Sequence, residues 1–496
     1  MSIDPHMLRH FFIIHADWVF EISWTILAMG MLQNFIYLIQ IPAAFLELRK
    51  YSQVEDSESS WQLLISGSAM PISLLVPAYN EEAGIVESVH SMLALEYPDV
   101  EVIVVNDGSK DRTLMKLIET FALTPVTLAH ELAVPHAAVR QVYKSSLYPN
   151  LVVVDKENGG GKADALNAGI NFCRNPLFCV VDGDSLLETE SLLRAVRPFM
   201  ENPRRMVAVG GTIRIANGCE VKNGHVRKVN LPGRILPLVQ SLEYIRAFLV
   251  ARLALSRAGI LTIISGAFGI FRRSVAVEVG GFSHGTVGED FDLVIKMHRL
   301  LHDQKRDYLM RYVPEPVCWT EVPENLKVLR TQRTRWERGA LEVFFKHSDM
   351  LLNPKYGRIG MLGFSHVLVV DVLGPIVEVL GYAFIPLFYV TGFLSLPFLL
   401  AYTGVTFIFG IFVSTAALIL EEMELQRVPR ARDLLTLTAV AVIENFGYRQ
   451  LNTIWRVIGW WQFLARKKGW GTMTRIGFQG LMKGKNAVLP QTAIKK

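Results

Sequence analysis

The sequence predicts an α/β domain with a mostly parallel sheet, inserted between helices that cross a membrane. Short apolar segments alternate with helical patterns between residues 72 and 181, which is typical of strands joined by crossover helices. Clusters of polar residues directly follow several of these segments. In addition, 51% of the 496 residues are hydrophobic, and apolar runs longer than the ~20 residues that cross a bilayer lie on both sides of this section.

The first membrane segment lies near the start of the sequence. Residues 18–46 are almost wholly apolar and a Glu-Leu-Arg-Lys sequence follows, so the positive-inside rule places the next section in the cytoplasm. A cleaved signal peptide is the alternative, but Asp17 and Glu21 stand where such a peptide carries positive charge, and the run is too long. We therefore assign residues 1–50 to a segment with one transmembrane helix and residues 51–69 to a linker.

Four strands are predicted in the next section, at residues 72–76, 100–105 and 151–154 and immediately before Asp182. Apolar residues at helical spacing follow each of the first three strands. The carboxyl ends of the strands in such a sheet face one crevice, in which ligands bind. The side chains expected to meet there are Asp107, Lys162, Asp164, Asp182 and Asp184.

The fourth predicted strand ends in two carboxylates, Asp182 and Asp184, which are separated only by Gly183. Because alternate strand residues share a face, the two side chains can converge on one hard cation. Mg²⁺ and Mn²⁺ prefer oxygen ligands and are often shared with substrate phosphates. For this motif alone, a polar turn that ends a strand is the alternative interpretation.

A glycine run at 159–161 precedes Lys162, so the backbone can approach a ligand closely while the lysine offers positive charge to a phosphate. The spacing is not that of a P-loop, and no Gly-x-Gly-x-x-Gly follows the first strand, which argues against a dinucleotide enzyme. Taken alone, Lys162 also fits an exposed loop lysine.

Later segments add a strand and two helices. Residues 206–215 form a β-like run, and residues 238–257 are predicted to be helical, lying on the membrane surface or packing on the sheet. Residues 326–350 are amphipathic and contain Gln-Arg-Thr-Arg-Trp at 332–336. Basic helix faces near membranes commonly meet anionic lipid, which is the alternative to a binding role. The arginines of this cationic patch are Arg333, Arg335 and Arg338.

The chain then returns to the membrane. Residues 362–388 and 396–420 are two spanning candidates, joined by a short uncharged link. The last apolar section, 434–464, is interrupted by polar residues and is either a short hairpin or one span followed by an interfacial helix. The basic residues after it favour the hairpin. Asp371 and Glu378 in the first span either line a cavity or pack against a partner helix.

These patterns divide the chain into segments. A cytosolic α/β domain is expected at 70–320, an amphipathic interface segment at 321–360, transmembrane helices at 361–465 and a basic cytosolic tail at 466–496. The net charge of +5 is too small to argue for nucleic acid. The four cysteines have neither metal-site spacing nor disulfide density, so free thiols in a reducing compartment are expected.

Four motifs, in order, resemble those of the membrane-bound processive glycosyltransferases of family 2, which include cellulose, chitin, hyaluronan and poly-N-acetylglucosamine synthases. The motifs are Asn-Asp-Gly-Ser with Asp107, Asp-Gly-Asp with Asp182 and Asp184, Gly-Glu-Asp with Asp290, and Gln-Arg-Thr-Arg-Trp at 332–336. The resemblance covers residues 70–345, and segments 158–167 and 264–273 are most similar to the poly-N-acetylglucosamine synthase branch. An extra glycine at 159–161 and a single N-terminal span depart from the family pattern.

The resemblance implies a Rossmann-like glycosyltransferase A (GT-A) fold and a role for each motif residue. Asp290, next to Glu289, would be the catalytic general base that takes the proton of the acceptor hydroxyl. Asp182 and Asp184 would hold Mg²⁺ or Mn²⁺. The residues implied in donor binding are Pro77, Tyr79, Glu81, Asp107, Lys162, Asp164, Asp182 and Arg335. Those implied in acceptor binding are Ser265, Gly266, Gln332 and Trp336.

The implied function is inverting, processive transfer of a sugar from a UDP-sugar, with UDP-N-acetylglucosamine as the first choice, to a growing β-linked polysaccharide. The protein would be a multi-pass protein of the inner membrane with a cytoplasmic catalytic domain, and it would help to export the product. The implied partners are the UDP-sugar donor, the polysaccharide acceptor and the lipid bilayer, with an accessory membrane or periplasmic subunit as an open candidate. The alternatives are transfer of a single sugar to a lipid carrier, and a non-catalytic transporter or nucleotide sensor.

Overall fold

The computed structural model of the protein describes residues 16–55, 69–222, 224–425 and 430–467. Most of the predicted linker and nearly all of the predicted basic tail lie outside these residues. The first membrane helix, α1, is Ala16–Glu55, so it extends five residues into the predicted linker at 51–69.

The soluble section is built on a mixed sheet of ten strands, accompanied by a separate two-stranded hairpin. The strands are Ile72–Ala78 (β1), Val100–Asp107 (β2), Leu123–Val126 (β3), Val139–Ser145 (β4), Leu151–Lys156 (β5), Leu177–Val181 (β6), Ser185–Leu187 (β7), Met206–Ile215 (β8), Glu220–Lys222 (β9), His225–Lys228 (β10), Phe268–Arg272 (β11) and Leu309–Thr320 (β12). Their order in the large sheet is β3-β4-β5-β2-β1-β6-β11-β8-β12-β7, and β9 pairs with β10. The neighbours β5, β2, β1 and β6 are parallel, as are β8 and β12, whereas β4, β11 and β7 pair antiparallel with their neighbours.

Helices cover this sheet and connect its parallel strands. They are Ile85–Leu93 (α2), Thr113–Phe121 (α3), Lys162–Phe172 (α4), Ser191–Glu201 (α5), Ile235–Tyr244 (α6), Arg252–Ala258 (α7), Arg273–Glu278 (α8), Glu289–Asp303 (α9) and Leu326–Lys346 (α10). Helix α4 packs on β1 and β2, and every residue from Ala163 to Phe172 is buried. Its first residue is Lys162, so this packing fixes where the lysine stands relative to the strand ends.

A π-helical segment, Ile245–Ala251, joins α6 to α7. The sequence leaves open whether residues 238–257 pack on the sheet or lie on the membrane surface, and the structure shows that they pack on the sheet and also contact α1. Helix α6 contacts β8 and α7 contacts β12, while the π-helical segment and α7 also contact α1. The segment is therefore buried between the sheet and the first membrane helix.

The C-terminal half contains further apolar helices. Residues 359–390 form a continuous helical run that comprises a π-helical turn at Ile359–Gly363, α11 (Phe364–His366), a second π-helical segment at Val367–Leu373, and α12 (Gly374–Val390). The remaining helices are α13 (Leu396–Leu425), α14 (Ala431–Ile443) and α15 (Tyr448–Leu464). Within the described residues, three helical runs are long and apolar enough to cross a membrane: Asp17–Tyr51, Ile359–Val390 and Leu396–Met423.

The interrupted apolar section at 434–464 therefore contains two short helices. Helix α14 has 13 residues and would extend ~20 Å, less than the ~30 Å of a bilayer core. Helix α15 has 17 residues and packs along α10 and against α12. The two alternatives for this section, a short hairpin or one span followed by an interfacial helix, both stay predictions.

Several strands have no counterpart in the sequence prediction. The predicted strands at 72–76, 100–105, 151–154 and 206–215 are present, and the last has the predicted bounds. Strands β3, β4, β7, β11 and β12 are absent from the prediction. Strand β12 contains Pro314 and Pro316, and its register with β8 shifts around them, so the sequence lacks the uninterrupted apolar alternation of a regular strand.

Helices α9 and α10 meet at two glycines, Gly288 and Gly339. A Cβ atom on Gly339 would lie 2.9 Å from the backbone nitrogen of Gly288, closer than packed atoms tolerate. Since Gly288 is the N-cap of α9, this contact fixes the distance between the start of α9 and the middle of α10.

We predict that Gly339→Ala destabilises the protein by about 1–3 kcal/mol, because the added methyl group forces the two helices apart. The matched control is Gly404→Ala, which lies in α13 with open space around its Cβ position and should be neutral or slightly stabilising. Thermal unfolding of the detergent-solubilised protein measures both variants, and an equal midpoint for the two would contradict the close-packing argument.

Candidate active site

One continuous cavity of about 1640 Å³ runs from the carboxyl ends of the parallel strands to the membrane helices. Every site residue predicted from the sequence lines this cavity, with the exception of Asp164. The fold therefore brings together motifs that are more than two hundred residues apart in the sequence, from Pro77 to Trp336.

Lys162 lies at the centre of the strand-end region. Its Nζ donates to Oδ1 of Asp182 at 2.5 Å and to the carbonyl oxygen of Gly266 at 2.9 Å. Burial works to lower the pKa of Lys162, but Asp182 and Glu289 outweigh it and the pKa is raised, so the side chain stays protonated. A Cβ atom on Gly266 would lie 2.7 Å from this Nζ, which explains the glycine there.

Asp182 and Asp184 both line the cavity, at the end of β6. Gly183 packs tightly between them, because a Cβ atom there would lie 3.2 Å from the carbonyl oxygen of Pro77. No group of three or more His, Cys, Asp or Glu side chains that could hold a metal ion occurs in the described parts of the chain. Two carboxylates fit Mg²⁺ or Mn²⁺ nonetheless, because Mg²⁺ is commonly bound by one or two carboxylates together with substrate phosphates and water.

Asp107, at the end of β2, is held by a dense set of donors. Lys156 Nζ donates to its Oδ1 at 2.5 Å, Asn158 Nδ2 donates to its carbonyl oxygen at 2.8 Å, and the Gly159 amide donates to Oδ1 at 3.2 Å. The Lys156 side chain is fully buried. The sequence analysis does not single out this lysine; had the strand predicted at 151–154 been extended to its true end, Lys156 would have joined the strand-end set.

Asp164 lies behind the cavity wall. It forms an ion pair with Lys156 and accepts a hydrogen bond from the Ala137 amide at 3.0 Å. Its side chain is buried, and a Cβ atom on Gly159 would overlap its carboxylate. The direct contact with the donor that the resemblance implies for Asp164 therefore does not match its position, which suits a role in orienting Lys156 and, through it, Asp107.

Asp290 and Glu289 begin helix α9. Asp290 Oδ2 accepts a hydrogen bond from the Gly266 amide at 2.9 Å, and its Oδ1 accepts one from the Phe291 amide at 2.8 Å, so the carboxylate is held next to the Lys162 contact. Glu289 is buried. Burial and the neighbouring charge of Asp290 raise its pKa to about 8, so it is mostly protonated at neutral pH.

Helix α10 supplies the side chains at 332–336. Gln332 and Arg333 are buried, whereas Trp336 is 41% exposed in the cavity wall with the Arg333 guanidinium 4.4 Å from its ring centre. Arg333 also bonds to Glu243 at 2.5 Å, and Arg338 is buried with an ion pair to Glu342 at 3.5 Å. Two of the three arginines of the predicted cationic patch are thus buried, which does not fit the lipid-binding alternative.

The membrane end of the cavity is polar. Asp371 and Glu378 line it and also bond to side chains of α15, so both alternatives from the sequence apply to them. Arg456 of α15 donates to Glu337 at 2.6 Å and to Asp371 at 3.4 Å, and Thr453 donates to Glu378 at 2.7 Å. Sequence analysis did not identify these partners, because the pairing joins α10, α15 and the helical run at 359–390.

Comparison with known proteins places this site in a family. The model of the family "Glycosyltransferase like family 2" matches residues 70–339, more than half of the chain. Two curated relatives are poly-beta-1,6-N-acetyl-D-glucosamine synthases. The Staphylococcus epidermidis protein is 28% identical over 296 residues, and that of Staphylococcus aureus strain COL is 27% identical over 297 residues. Each alignment covers 60% of this chain and 61% of the relative, so the chain spans about three fifths of the length of these relatives.

Two solved structures are also similar. The mannosyltransferase PcManGT from Pyrobaculum calidifontis, in complex with GDP-Man and Mn²⁺, has 17% identity and a TM-score of 0.48, with 88% of this chain and 99% of that chain covered. Residues 1–349 of S. aureus TarS, in complex with UDP-GlcNAc, have 17% identity and a TM-score of 0.37, with 77% of this chain and 92% of that chain covered.

We predict that Lys156→Met destabilises the protein by about 3–5 kcal/mol, because it leaves the buried carboxylates of Asp107 and Asp164 without their cation. The double variant Lys156→Met with Asp164→Asn should recover part of this loss, since one buried charge fewer then lacks a partner. Lys222→Met, at an exposed position in β9, is the control and should change stability by no more than about 0.5 kcal/mol. Chemical denaturation reports all three, and a Lys156→Met variant as stable as the control would refute the buried ion-pair argument.

Proposed function

Because the chain belongs to glycosyltransferase family 2, we propose that it transfers a sugar from a UDP-sugar to the end of a β-linked polysaccharide, with inversion at the anomeric carbon. Its mixed, mostly parallel sheet with crossover helices is the GT-A-like fold. The single observation that carries the proposal is the cavity, which joins the strand-end carboxylates, Asp290 and the membrane helices in one space. The proposed domain boundaries are those given by the sequence, with the catalytic domain at 70–320.

The strand-end region is proposed to bind the donor. Asp107, with Pro77, Tyr79 and Glu81 beside it, suits hydrogen bonding and packing against the nucleoside. A protonated Lys162, together with Arg335, suits the diphosphate oxygens, since guanidinium and ammonium groups form strong charge-assisted bonds to phosphate. When bound, Mg²⁺ or Mn²⁺ at Asp182 and Asp184 would neutralise charge on the diphosphate leaving group.

Asp290 is proposed as the general base. Two backbone amides hold its carboxylate in place on the cavity wall, where it can take the proton of an acceptor hydroxyl as that oxygen attacks the anomeric carbon. The diphosphate leaves from the opposite face, so an α-linked donor gives a β-linked product. Ser265, Gly266, Gln332 and Trp336 border the same space, where an aromatic face and polar groups suit a sugar ring.

The names of the curated relatives support N-acetylglucosamine as the sugar and repeated addition as the mode of synthesis. The extension of the cavity to the membrane helices supports export of the product by a multi-pass protein of the inner membrane, with its catalytic domain in the cytoplasm. An accessory membrane or periplasmic subunit belongs to the same proposal. Transfer of a single sugar to a lipid carrier makes use of the strand-end region alone and leaves the membrane end of the cavity without a role.

Purified protein in nanodiscs, incubated in turn with UDP-N-acetylglucosamine, UDP-glucose and UDP-glucuronate, tests the proposal. We expect UDP release and polymer only with the first donor, loss of both on chelation with EDTA, and recovery with Mg²⁺ or Mn²⁺. Products carrying one added sugar would support the lipid-carrier alternative, and no UDP release with any donor would support a transporter or sensor.

A pair of neighbouring carboxylates provides a sharper prediction. Asp290→Asn should retain donor binding and lose transfer by at least about a hundredfold, because it removes the base. Glu289→Gln mimics the protonated form and should keep at least about a tenth of the rate. Since the pKa of Glu289 is about 8, wild-type transfer should decline as the pH rises through 8 and a second negative charge forms beside Asp290. The Gln variant should lack this decline.

The same titration affects stability. Because folding raises the pKa of Glu289 from its ordinary value of 4.5 to about 8, this group contributes its full stabilisation of the folded state below pH 4.5. The contribution is lost as the pH rises from there through about 8. Rate profiles and unfolding midpoints between pH 6 and 9 are the measurements. Full activity of Asp290→Asn, or an unchanged alkaline decline in Glu289→Gln, would contradict the respective assignment.

A further inference from the structure

We propose that Arg252 binds the acceptor saccharide, donating hydrogen bonds to hydroxyl or amide carbonyl oxygens of the sugar unit behind the one that reacts. This inference rests on the proposed function and adds a residue that none of the sequence motifs contains. Arg252 begins helix α7 and lines the same cavity as Asp290.

The hydrogen-bonding capacity of Arg252 is largely unused. A guanidinium has five N–H donors. Among the described residues, the hydrogen bond that Arg252 makes is from Nη1 to the carbonyl oxygen of Ala247 at 3.2 Å, and its Nε is buried without a hydrogen-bond partner. Because a buried donor without an acceptor is costly, such a group in a cavity wall points to a ligand that supplies the acceptor.

Three other arginines of this cavity are paired with carboxylates. Arg246 bonds to Glu444, Arg333 to Glu243, and Arg456 to Glu337, so the charge of each is balanced by a carboxylate of the protein. Their role in holding helices together is accounted for by those pairs. In the described part of the chain, Arg252 has no carboxylate within salt-bridge distance, so the same explanation does not apply to it.

The position of Arg252 suits the acceptor rather than the donor. Two carboxylates that line the cavity, Asp290 at the reacting end and Asp371 at the membrane end, both act on the charge of the Arg252 guanidinium. Burial lowers the pKa of Arg252, yet an arginine remains protonated at neutral pH. The diphosphate would already be served by Lys162 and Arg335, the two basic residues proposed to bind it.

The local backbone holds the guanidinium in a defined orientation. The π-helical segment Ile245–Ala251 immediately precedes Arg252, and such segments are rare and recur at functional sites. The guanidinium carbon lies 4.0 Å from the ring centre of Phe248, so a cation–π contact supports the group in the wall of the cavity that both residues line. A fixed planar donor suits neighbouring oxygens on one sugar ring.

The charges around the site favour a neutral saccharide over a polyanion. Asp371 and Glu378 line the membrane end beside Arg449 and Arg456, so this end offers a polyanion no excess of positive charge. Hydroxyl and N-acetyl carbonyl oxygens need only hydrogen-bond donors, which the guanidinium of Arg252 offers. The proposed ligand is therefore an uncharged, N-acetylated β-linked oligosaccharide.

The test compares the effect of each variant on the KM for the acceptor with its effect on the KM for the donor. With short β-1,6-linked N-acetylglucosamine oligosaccharides as acceptor, Arg252→Met should raise KM for the acceptor about ten- to a hundredfold. KM for UDP-N-acetylglucosamine should stay within about twofold of the wild-type value. Arg252→Lys keeps the charge without the planar fork and should be intermediate. The control is Arg257→Met on the same helix, which breaks an exposed ion pair with Glu47 and should leave both constants unchanged.

The outcomes are distinguishable. An unchanged KM for the acceptor in Arg252→Met and Arg252→Lys, or an equal rise in both Michaelis constants, would overturn the assignment of Arg252 while leaving the proposed function intact. Absence of donor turnover by the wild-type protein would instead overturn the proposed function and the inference with it. If Arg252→Met does not fold, Arg252→Lys is compared with Arg257→Met instead. A rise in the KM for the acceptor without a rise in the KM for the donor then supports the assignment of Arg252, and no such rise overturns it.

Discussion

The site depends on the neutralisation of carboxylates that the parallel sheet brings to one edge. Asp107 ends β2 and Asp182 directly follows β6, the two strands on either side of β1. Like charges that are held close together in a buried setting destabilise one another. Two lysines resolve this conflict. Lys156 neutralises Asp107 and Asp164 behind the wall, and Lys162 neutralises Asp182 at the surface of the cavity. Lys162 can reach Asp182 because α4 is buried along its whole length and cannot shift.

This constraint extends towards the membrane through a series of direct contacts. Gly266 accepts from Lys162 and donates to Asp290, which begins α9. The glycine contact at the N-cap of α9 fixes α10, and Glu337 of α10 bonds to Arg456 of α15. A shift of α15 would therefore change the position of α9 and of Asp290, the proposed general base. The catalytic domain and the membrane helices are, in this respect, one mechanical unit.

The sequence predicts the parts of the fold that follow from local pattern. Parallel strands such as β2 and β5 are buried on both faces and appear as continuous apolar runs, so their positions and their shared carboxyl edge are predictable. Strand β12 is not, because Pro314 and Pro316 interrupt its pattern and tertiary pairing with β8 compensates. The position of Asp182 in the cavity follows from this shared edge, whereas the resemblance of its motif is what predicts Asp290 there. Lys156 and Arg252 are different, since their significance depends on which distant groups surround them.

The polar lining at the membrane end of the cavity has a physical consequence for a moving ligand. Ionisable side chains near a membrane are costly unless they have partners, and here Arg456 pairs with Glu337 and Asp371 while Thr453 bonds to Glu378. These bonded groups offer a neutral saccharide many weak hydrogen-bonding partners without one deep binding site. If the protein acts as proposed, a polymer can then advance by one sugar at a time without a large barrier. Strong binding is needed only near Asp290, where the acceptor must be held for attack, and this is the role proposed for Arg252.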